Sequence, residues 1–578
     1  RRGEYFEGDG ESPIVVGNVG LPFTKDGFVN LSFQYKNSDP TSRSVQRPDA
    51  QALIDAGNTE VADPAMIWGN PKIEDDITVF ANVGLDLGDN KEFYMFGNYS
   101  DRAGTGGYYY RNPQAKGGVY TNGGNLLIAD LTPDMSGNCP VIDATQGNVQ
   151  NDPLYISGVR DNPDCFSFNE MPGLAGGFTP QFTGEINDTS LTMGTRGEIK
   201  GGFLDEALYD ISGTVGRNKS NYILVDSVNP SLGAAQPDGY RFDSGSYIQL
   251  EKTFVASLTQ GVDVGLVDPM NVSAGFEWRQ ESFEIIAGER ASWEIGPLQA
   301  QGFDAGTNGF PGFSPEAQGV YSRQSIAAYL DVEAYLTEDF LLGGALRYED
   351  FTSFGNTTNY KLTAQYQLTD ELSLRASHST GFRAPTVGQA NVINTQTSII
   401  DQVLVQSGTF PPTNPLSQFY GGQELQPEES VSYAFGGVYQ NGDFFLTVDF
   451  YSINVDDRIT QTSSFQVNPE DYPALINEGV KNPSQYGNLT YFANNFDTKT
   501  QGIDIVANYG MELLGGDTKF SLAYNYNSTE VENRKTTIDP RTGLPLVDSK
   551  GNIALGTNDG KVRRLEEGMP DHRGTFTV

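Results

Sequence analysis

Apolar and polar side chains alternate residue by residue along much of this chain, and a period of two limits what the chain can fold into. Between residues 326 and 336 every second side chain is apolar, with Tyr329 and Asp331 among those between. The alternation resumes after the Thr-Glu-Asp turn at 337–339 and recurs over 360–368. Because a helix repeats every 3.6 residues, this pattern predicts β-strands joined as antiparallel hairpins.

The predicted strands are long, and about 17 of them occur without a convincing amphipathic helix among them. They run to roughly ten residues or more, whereas strands of soluble proteins average about five or six. A strand that crosses a membrane at its usual tilt needs about 9–11 residues. The strand length therefore favours a sheet that spans a bilayer.

The connections between these strands alternate strictly between short turns and long segments. Short turns lie near 88–91 and 441–443, whereas long segments cover 101–188, 383–428 and 530–571. An outer-membrane barrel has tight turns at one rim and large loops at the other, and it produces this alternation. A soluble sandwich gives no reason for it.

Composition removes several other classes of protein. The chain has 37 Lys and Arg residues against 74 Asp and Glu residues, so its net charge of −37 repels a phosphate backbone and excludes a nucleic-acid partner. An aromatic content of 11% argues against disorder. No run of 18 apolar residues occurs, which excludes a transmembrane helix but not a membrane strand.

We therefore predict an all-β fold, a transmembrane antiparallel β-barrel with long extracellular loops, built as one domain over residues 1–578. The alternative is a large soluble all-β protein, such as a propeller or a β-helix enzyme. Those folds show internal repeats at a fixed period. The sequence has no such repeat.

Three segments in this predicted barrel carry a family resemblance. Residues 379–385 read Ser-Thr-Gly-Phe-Arg-Ala-Pro, and residues 425–430 read Leu-Gln-Pro-Glu-Glu-Ser ahead of Tyr433 and Gly436. Residues 494–504 begin with two asparagines and end in Gln-Gly-Ile-Asp. In this order and spacing the segments resemble strand motifs of the TonB-dependent outer-membrane receptors.

The resemblance implies a 22-stranded barrel, preceded by a plug domain and a short segment that binds the protein TonB. The first strand here, near 14–23, leads into a short turn, and the last, at 572–578, follows a long loop. Both then descend towards the periplasm. We expect an incomplete barrel, with the plug and the first strand missing before Arg1 and about four strands missing after Val578.

The implied function is TonB-dependent active import of a scarce nutrient, namely a ferric siderophore, cobalamin or an oligosaccharide, across the Gram-negative outer membrane. Its implied partners are TonB with ExbB and ExbD acting through the plug, outer-membrane lipid and lipopolysaccharide, and the ligand itself. A passive porin-like channel is one alternative; it would need no plug and would fold a loop into the lumen. A soluble β-rich glycan hydrolase is another.

The residues suited to catalysis are few, so we predict that the chain is not an enzyme. His378 and His572 are its two histidines, and both lie within predicted strands. Two histidines placed within strands argue against a histidine-based triad and against a multi-histidine metal site, and favour strand-end residues. We predict no catalytic residue, no metal site and no cofactor, except that acidic loops could bind surface Ca²⁺ through carboxylate oxygens.

Four neighbours in the second long segment, Tyr108, Tyr109, Tyr110 and Arg111, are the candidate ligand contacts. Aromatic faces beside a cation can stack on sugars, catecholates or other planar rings. An interfacial girdle of aromatic side chains, where a strand leaves the membrane, is the alternative interpretation.

Parity along the strands directs a set of polar side chains into the lumen, where they can face a plug. The candidates are Arg347, Arg375, Arg383 and Asp504. The resemblance also implies two wall acids that hold plug arginines; Asp504 occupies one of these positions, whereas Ala434 occupies the other and puts that half of the clamp in doubt.

Cys139 and Cys165 are the two cysteines of the chain, and both lie in its longest loop. A cell-surface loop is in an oxidising compartment, where two isolated thiols 26 residues apart can pair. We predict a disulfide that stabilises this loop by roughly 3–4 kcal/mol.

Overall fold

Seventeen strands form one sheet with the two-residue strand Arg2–Gly3 in the computed structural model, which describes residues 2–145, 147–400, 403–480, 483–548, 551–557 and 559–578. In chain order they are β1 Ser12–Thr24, β2 Gly27–Ser38, β3 Lys72–Gly88, β4 Lys91–Gly107, β5 Gln181–Glu198, β6 Leu208–Val225, β7 Phe242–Val262, β8 Met270–Ile286, β9 Gly319–Thr337, β10 Phe340–Phe351, β11 Gly355–Gln367, β12 Leu372–Arg383, β13 Glu428–Asn441, β14 Phe444–Gln461, β15 Phe492–Leu513, β16 Gly516–Glu532 and β17 His572–Thr577.

Each strand pairs antiparallel with the next strand of the chain, from β1 through to β17. The predicted all-β class and the count of about 17 strands are confirmed. Among the described residues no pairing joins β17 to β1. The expectation that a plug and further strands complete the barrel stays a prediction.

The remaining elements are short and lie in the connections. The helices are α1 Pro48–Asp55, α2 Pro153–Tyr155, α3 Arg290–Trp293, α4 Val387–Asn391, α5 Pro415–Phe419, α6 Tyr472–Asn477 and α7 Asp559–Glu566. Short strands cover Arg2–Gly3, Thr121–Asn122, Asn125–Leu126, Ala129–Asp130, Cys165–Phe166, Asn394–Ile400, Val403–Thr409, Phe465–Gln466 and Tyr486–Thr490. No helix in the described part of the chain is long and apolar enough to cross a membrane.

Register gives the sheet one apolar face and one polar face. Leu330 pairs with Leu346, and the adjacent Tyr329 pairs with Arg347. Because successive side chains point to opposite faces, this pairing keeps apolar and polar rows apart across β9 and β10. Leu330 and Leu346 are each about half exposed, as is expected of a face that water does not cover.

Glycines on the polar face make room for aromatic rings from the neighbouring strand. A Cβ at Gly275 would lie 2.3 Å from the Tyr329 ring, and one at Gly502 would lie 2.3 Å from the Tyr451 hydroxyl. Each ring covers backbone that the missing side chain leaves bare, a device that also holds register. Some of the 67 glycines of the chain are therefore needed for the packing of aromatic rings on the wall.

The connections follow the predicted division into two rims, with one exception. Two-residue turns at 25–26, 89–90 and 442–443 lie at the short-turn rim. The connection between β10 and β11 lies at the other rim, yet it covers only 352–354. The prediction of strict alternation is therefore wrong at this hairpin, where a tight turn closes the extended pair directly.

Buried apolar residues concentrate in the long loops rather than in the wall. The described residues of loops 39–71, 108–180, 226–241 and 287–318 are here called the N-terminal cap. The last three of these loops pack around Tyr120, Phe168 and Phe303, and loop 39–71 packs against Tyr110. The described residues of loops 384–427, 462–491 and 533–571 form the C-terminal cap, around Phe465, Leu489 and Tyr491.

The sheet curves, so that distant strands face one another. Tyr247 of β7 and Gln461 of β14 line the same cavity, although their strands are seven places apart. In a flat sheet that separation would be about 34 Å. The wall therefore bends round a lumen, with its polar face inside.

Candidate functional site: the lumen and its mouth

The predicted lumen residues lie on the polar inner face, where most of them pair with carboxylates of the wall itself. Arg347 lies 3.0 Å from a Glu277 carboxylate oxygen and 2.9 Å from one of Glu349. Arg279 joins the same group through Glu277 at 2.9 Å. Glu349 is only 6% exposed. These ion pairs join β8 to β10, and Glu349 also accepts a hydrogen bond from a side chain of β9, so the network links all three strands.

A second ion pair lies further round the wall. Arg375 of β12 donates from Nε to Asp449 Oδ1 of β14 at 2.8 Å. The bond crosses Gly436 on the strand between them, where a Cβ would lie 2.0 Å from the Asp449 carboxylate. Glycine at this position is therefore what allows the pair to form.

The other two predicted lumen residues differ in their partners. Arg383 donates to Glu428 at 2.7 Å, where β12 and β13 reach the long-loop rim. Asp504 accepts a 2.7 Å hydrogen bond from the Asn525 amide and lies opposite Asp449. The role of these residues towards a plug stays a prediction.

The structure does not bring the four candidate ligand contacts into one site. Tyr110 is buried in the N-terminal cap, where its hydroxyl donates to the Gly176 carbonyl at 2.5 Å and burial raises its pKa. Tyr109 is exposed and meets Trp68 edge to face. Arg111 donates to Asn308 at 2.6 Å, and its burial lowers the pKa of the guanidinium.

Tyr108 alone of these four joins a larger aromatic group, which the sequence reasoning missed. Its ring lies 6.0 Å from Phe182, the first ring of a continuous band on the inner face. The band runs across β5, β6, β7 and β8 with rings from loop 287–318 added, and comprises Phe182, Tyr222, Tyr247, Phe283, Phe310 and Phe313.

One signal in the sequence could have found part of this aromatic band. Phe182, Tyr222, Tyr247 and Phe283 all have lumen parity and lie near the long-loop ends of consecutive strands. Phe310 and Phe313 carried no such signal, because the loop reaches the wall only in the folded chain.

A cavity of about 470 Å³ lies beside this band at the mouth of the lumen, and we call it the mouth cavity. Its aromatic side chains are Tyr247, Phe283 and Phe492. Its amide side chains are Gln249, Gln389, Gln461 and Asn394, and its hydroxyl side chains include Thr386 and Thr409. Aromatic surface with a few polar groups is the usual composition of a small-molecule site.

The segment after β12 forms one side of the mouth cavity. Pro385 accepts a 2.5 Å hydrogen bond from buried Arg323 of β9, and α4 packs against Phe283 of β8 at Gly388. The Thr386 hydroxyl caps α4 by accepting from the backbone N–H of Gln389. The Gly-Phe-Arg-Ala-Pro-Thr stretch thus leads the chain from the wall into the lumen.

The end of β14 forms another side of the mouth cavity, where it meets the C-terminal cap. The Gln461 amide donates to Thr409 at 2.6 Å and to Thr490 at 2.9 Å. Glu281 is the one charged side chain among the described residues that line the cavity, and Arg323 donates to it from Nε at 3.1 Å. The cavity is therefore polar without a net charge.

Cys139 and Cys165 are joined by a disulfide in the N-terminal cap, with their Cα atoms 5.7 Å apart. The bond lies in a small apolar cluster that includes Tyr155 and Val159. It constrains the loop rather than lining the mouth cavity. Among the described residues no group of three or more His, Cys, Asp or Glu side chains is placed to hold a metal ion, and surface Ca²⁺ stays a prediction.

Both histidines lie on the apolar outer face, away from the cavity. His378 hydrogen-bonds the Tyr360 hydroxyl at 2.9 Å and stacks on Tyr433. His572 hydrogen-bonds the Tyr524 hydroxyl at 2.8 Å. Each ring extends the aromatic surface of the wall.

A curved antiparallel wall with an apolar outside, a charged lumen and a capped mouth is typical of an outer-membrane β-barrel. The family model of the β-barrel of TonB-dependent receptor-like proteins matches residues 16–576, and the chain belongs to this family. The family consists of transporters and receptors and not of enzymes, which agrees with the prediction, and its barrels lie in the outer membrane. The apolar outer face of this chain is therefore the one that faces lipid.

Two curated relatives are vitamin B12 transporters named BtuB. That of Vibrio vulnificus is 23% identical over 331 residues, which cover 55% of this chain and 45% of BtuB. That of Photobacterium profundum is 25% identical over 281 residues, which cover 48% of this chain and 34% of BtuB. This chain thus spans less than half the length of either relative.

Among solved structures, a mutant of the ferric enterobactin receptor PfeA from Pseudomonas aeruginosa has a TM-score of 0.52 at 11% identity. The superposition covers 94% of this chain and 62% of PfeA. At this identity the likeness shows the barrel fold alone. The predicted family and outer-membrane location are confirmed.

Proposed function

We propose that this chain is the barrel of a TonB-dependent importer that captures a scarce nutrient at the cell surface. The observation that carries the proposal is the mouth cavity, since wall strands and the C-terminal cap enclose it on the inner side of the sheet. A ferric siderophore, cobalamin and an oligosaccharide are the candidate nutrients. The printed names of the relatives include a B12 transporter and an enterobactin receptor.

In this proposal the chain makes and breaks no bond. The caps and the aromatic band hold the ligand above the lumen, and the charged wall holds a plug that TonB, with ExbB and ExbD, displaces. The proton-motive force across the inner membrane supplies the energy. The ion pairs of Arg347 and Arg375 keep the wall rigid during that movement, because each joins different strands.

The test is uptake by cells that express the intact protein. Radiolabelled cyanocobalamin, a radiolabelled ferric siderophore and a fluorescent neutral oligosaccharide are supplied to cells with and without TonB. We expect one of them to accumulate only when TonB is present, and a protonophore to abolish the accumulation. Uptake that is unchanged without TonB would contradict the proposal.

A passive channel is the second candidate, and one observation favours it. The segment that contains Pro385 and α4 lies inside the lumen against β8 and β9, as expected of a loop that narrows a pore. Conductance of the intact protein in a planar bilayer separates the two functions. A stable ohmic current without TonB would favour the channel, and a closed barrel would favour the importer.

A further inference from the structure

We infer that the mouth cavity selects an uncharged ligand with apolar ring faces and many hydroxyl or amide groups, and that Tyr247, Phe283 and Gln461 are its principal contacts. This inference rests on the proposed function. It separates the neutral candidates, cobalamin or a neutral oligosaccharide, from an anionic ferric siderophore.

The charge of the mouth cavity is the first step. Among the described residues that line it, none is lysine or arginine, and Glu281 is the one acid. Arg323 already neutralises Glu281 and also donates to the Pro385 carbonyl, while only 7% of its surface is exposed. Arg323 is therefore not available to pair with an anionic ligand.

A polyanionic ligand would find no compensation in this cavity. Taking an anion out of water is costly unless cations or several donors replace its hydration. The net charge of −37 adds a repulsive field along the approach to the loops. Both effects select against a negatively charged ferric complex, and neither acts on a neutral ligand.

The aromatic side chains supply the surface that a neutral ligand needs. Tyr247 and Phe283 lie side by side with their ring centroids 5.2 Å apart, and Phe313 stacks on Tyr247 at 4.6 Å. These contacts between neighbouring rings fix the orientation of each ring. Fixed rings bury the apolar faces of a ring-shaped ligand without a further loss of rotamer freedom.

The polar side chains match hydroxyl and amide groups rather than ions. Amides and hydroxyls both donate and accept, so they suit a ligand whose groups do the same.

Calorimetric titration of the purified intact protein in detergent tests the inference. The probes are cyanocobalamin, the neutral oligosaccharide maltoheptaose and ferric enterobactin, a trianion. We expect one neutral probe to bind and ferric enterobactin not to bind. Which neutral probe binds distinguishes the corrinoid from the sugar.

Two variants and one control locate the binding site. Tyr247→Ala should weaken the binding of the neutral probe by about tenfold or more, since it removes an aromatic ring that lines the cavity. Gln249→Arg adds a cation at the cavity and should weaken the neutral probe while it strengthens ferric enterobactin. Phe203→Ala removes an exposed aromatic in the turn between β5 and β6, at the short-turn rim away from the cavity, and should leave binding unchanged.

Preferential binding of ferric enterobactin by the native protein would overturn the inference, as would an unchanged affinity in Tyr247→Ala or no binding of either neutral probe. The outcomes remain separate from those of the proposed function. TonB-dependent uptake of the ferric siderophore would keep the function and reject the inference. Neutral binding with TonB-independent uptake would do the reverse.

Discussion

Large apolar side chains are buried in the two caps, whereas in the barrel wall they are among the exposed ones. Phe168 and Phe303 of the N-terminal cap have no exposed surface, while Leu346 and Phe435 of the wall are more than half exposed. The caps fold in water and need a packed core, but the wall is solvated by lipid on one side. The same residue types thus stabilise the two regions by opposite placement.

The largest loss of stability is expected from a substitution inside a cap. Phe168→Ala removes a ring that packs against Phe166 at 5.1 Å and Phe303 at 6.0 Å. Deleting a fully buried phenylalanine costs about 3–5 kcal/mol. Hydrogen exchange should then rise throughout the N-terminal cap and stay unchanged in the wall.

Leu131→Ala is the matched control for Phe168→Ala, because Leu131 lies in the same loop and is half exposed. It should change exchange very little. Equal exchange increases in cap and wall after Phe168→Ala would mean that the two regions unfold as one unit.

Removal of the disulfide is expected to have the next largest effect on stability. Cys139→Ser with Cys165→Ser opens a loop of 26 residues and should destabilise the N-terminal cap by about 3 kcal/mol. Limited proteolysis is expected to cleave between these positions in the variant but not in the native protein. The C-terminal cap, whose described residues contain no cysteine, serves as the internal reference.

A charge on the apolar face of the wall tests whether that face is in contact with lipid. Leu346→Arg places a cation on the lipid-facing side of β10 and should cost about 2–4 kcal/mol, with lower yield of folded barrel on refolding into vesicles. Ala345→Arg is the matched control, since Ala345 lies one residue away on the lumen face opposite Asp331. Equal losses in the two variants would contradict the assignment of the faces.

The smallest effect is expected from the ion pairs of the lumen. Arg347→Met leaves buried Glu349 and Glu277 short of a donor and should cost about 1–3 kcal/mol in denaturant titration. Arg196→Met breaks an exposed pair with Glu92 and should cost less than about 1 kcal/mol. Adding Glu349→Gln to Arg347→Met should restore part of the loss.

Much of the wall could be predicted from the sequence because its rule is local. The predicted strands near 29–36 and 340–349 lie within β2 and β10, and inner and outer residues follow from parity. The tight 352–354 turn escaped prediction, since a long loop was expected wherever the chain reached that rim. Turn length depends on how the two strands meet and not on their alternation.

The candidate site was harder to predict, because its parts lie far apart in the chain. Tyr108 to Arg111 looked like one cluster, yet the fold sends Tyr110 into a cap core and leaves Tyr109 in solvent. Phe283 and Phe492 are separated by more than a third of the wall but line one cavity. Adjacency in sequence says little about a site built where loops converge.

By itself the sequence determined that this chain forms long antiparallel strands with one apolar and one polar face, because a period of two needs only neighbouring residues. The tertiary structure decided which carboxylate each lumen arginine meets, which loops form which cap, and which rings and amides surround the mouth cavity. Those contacts join residues up to several strands apart. They depend on sheet curvature and loop packing, which no local pattern encodes.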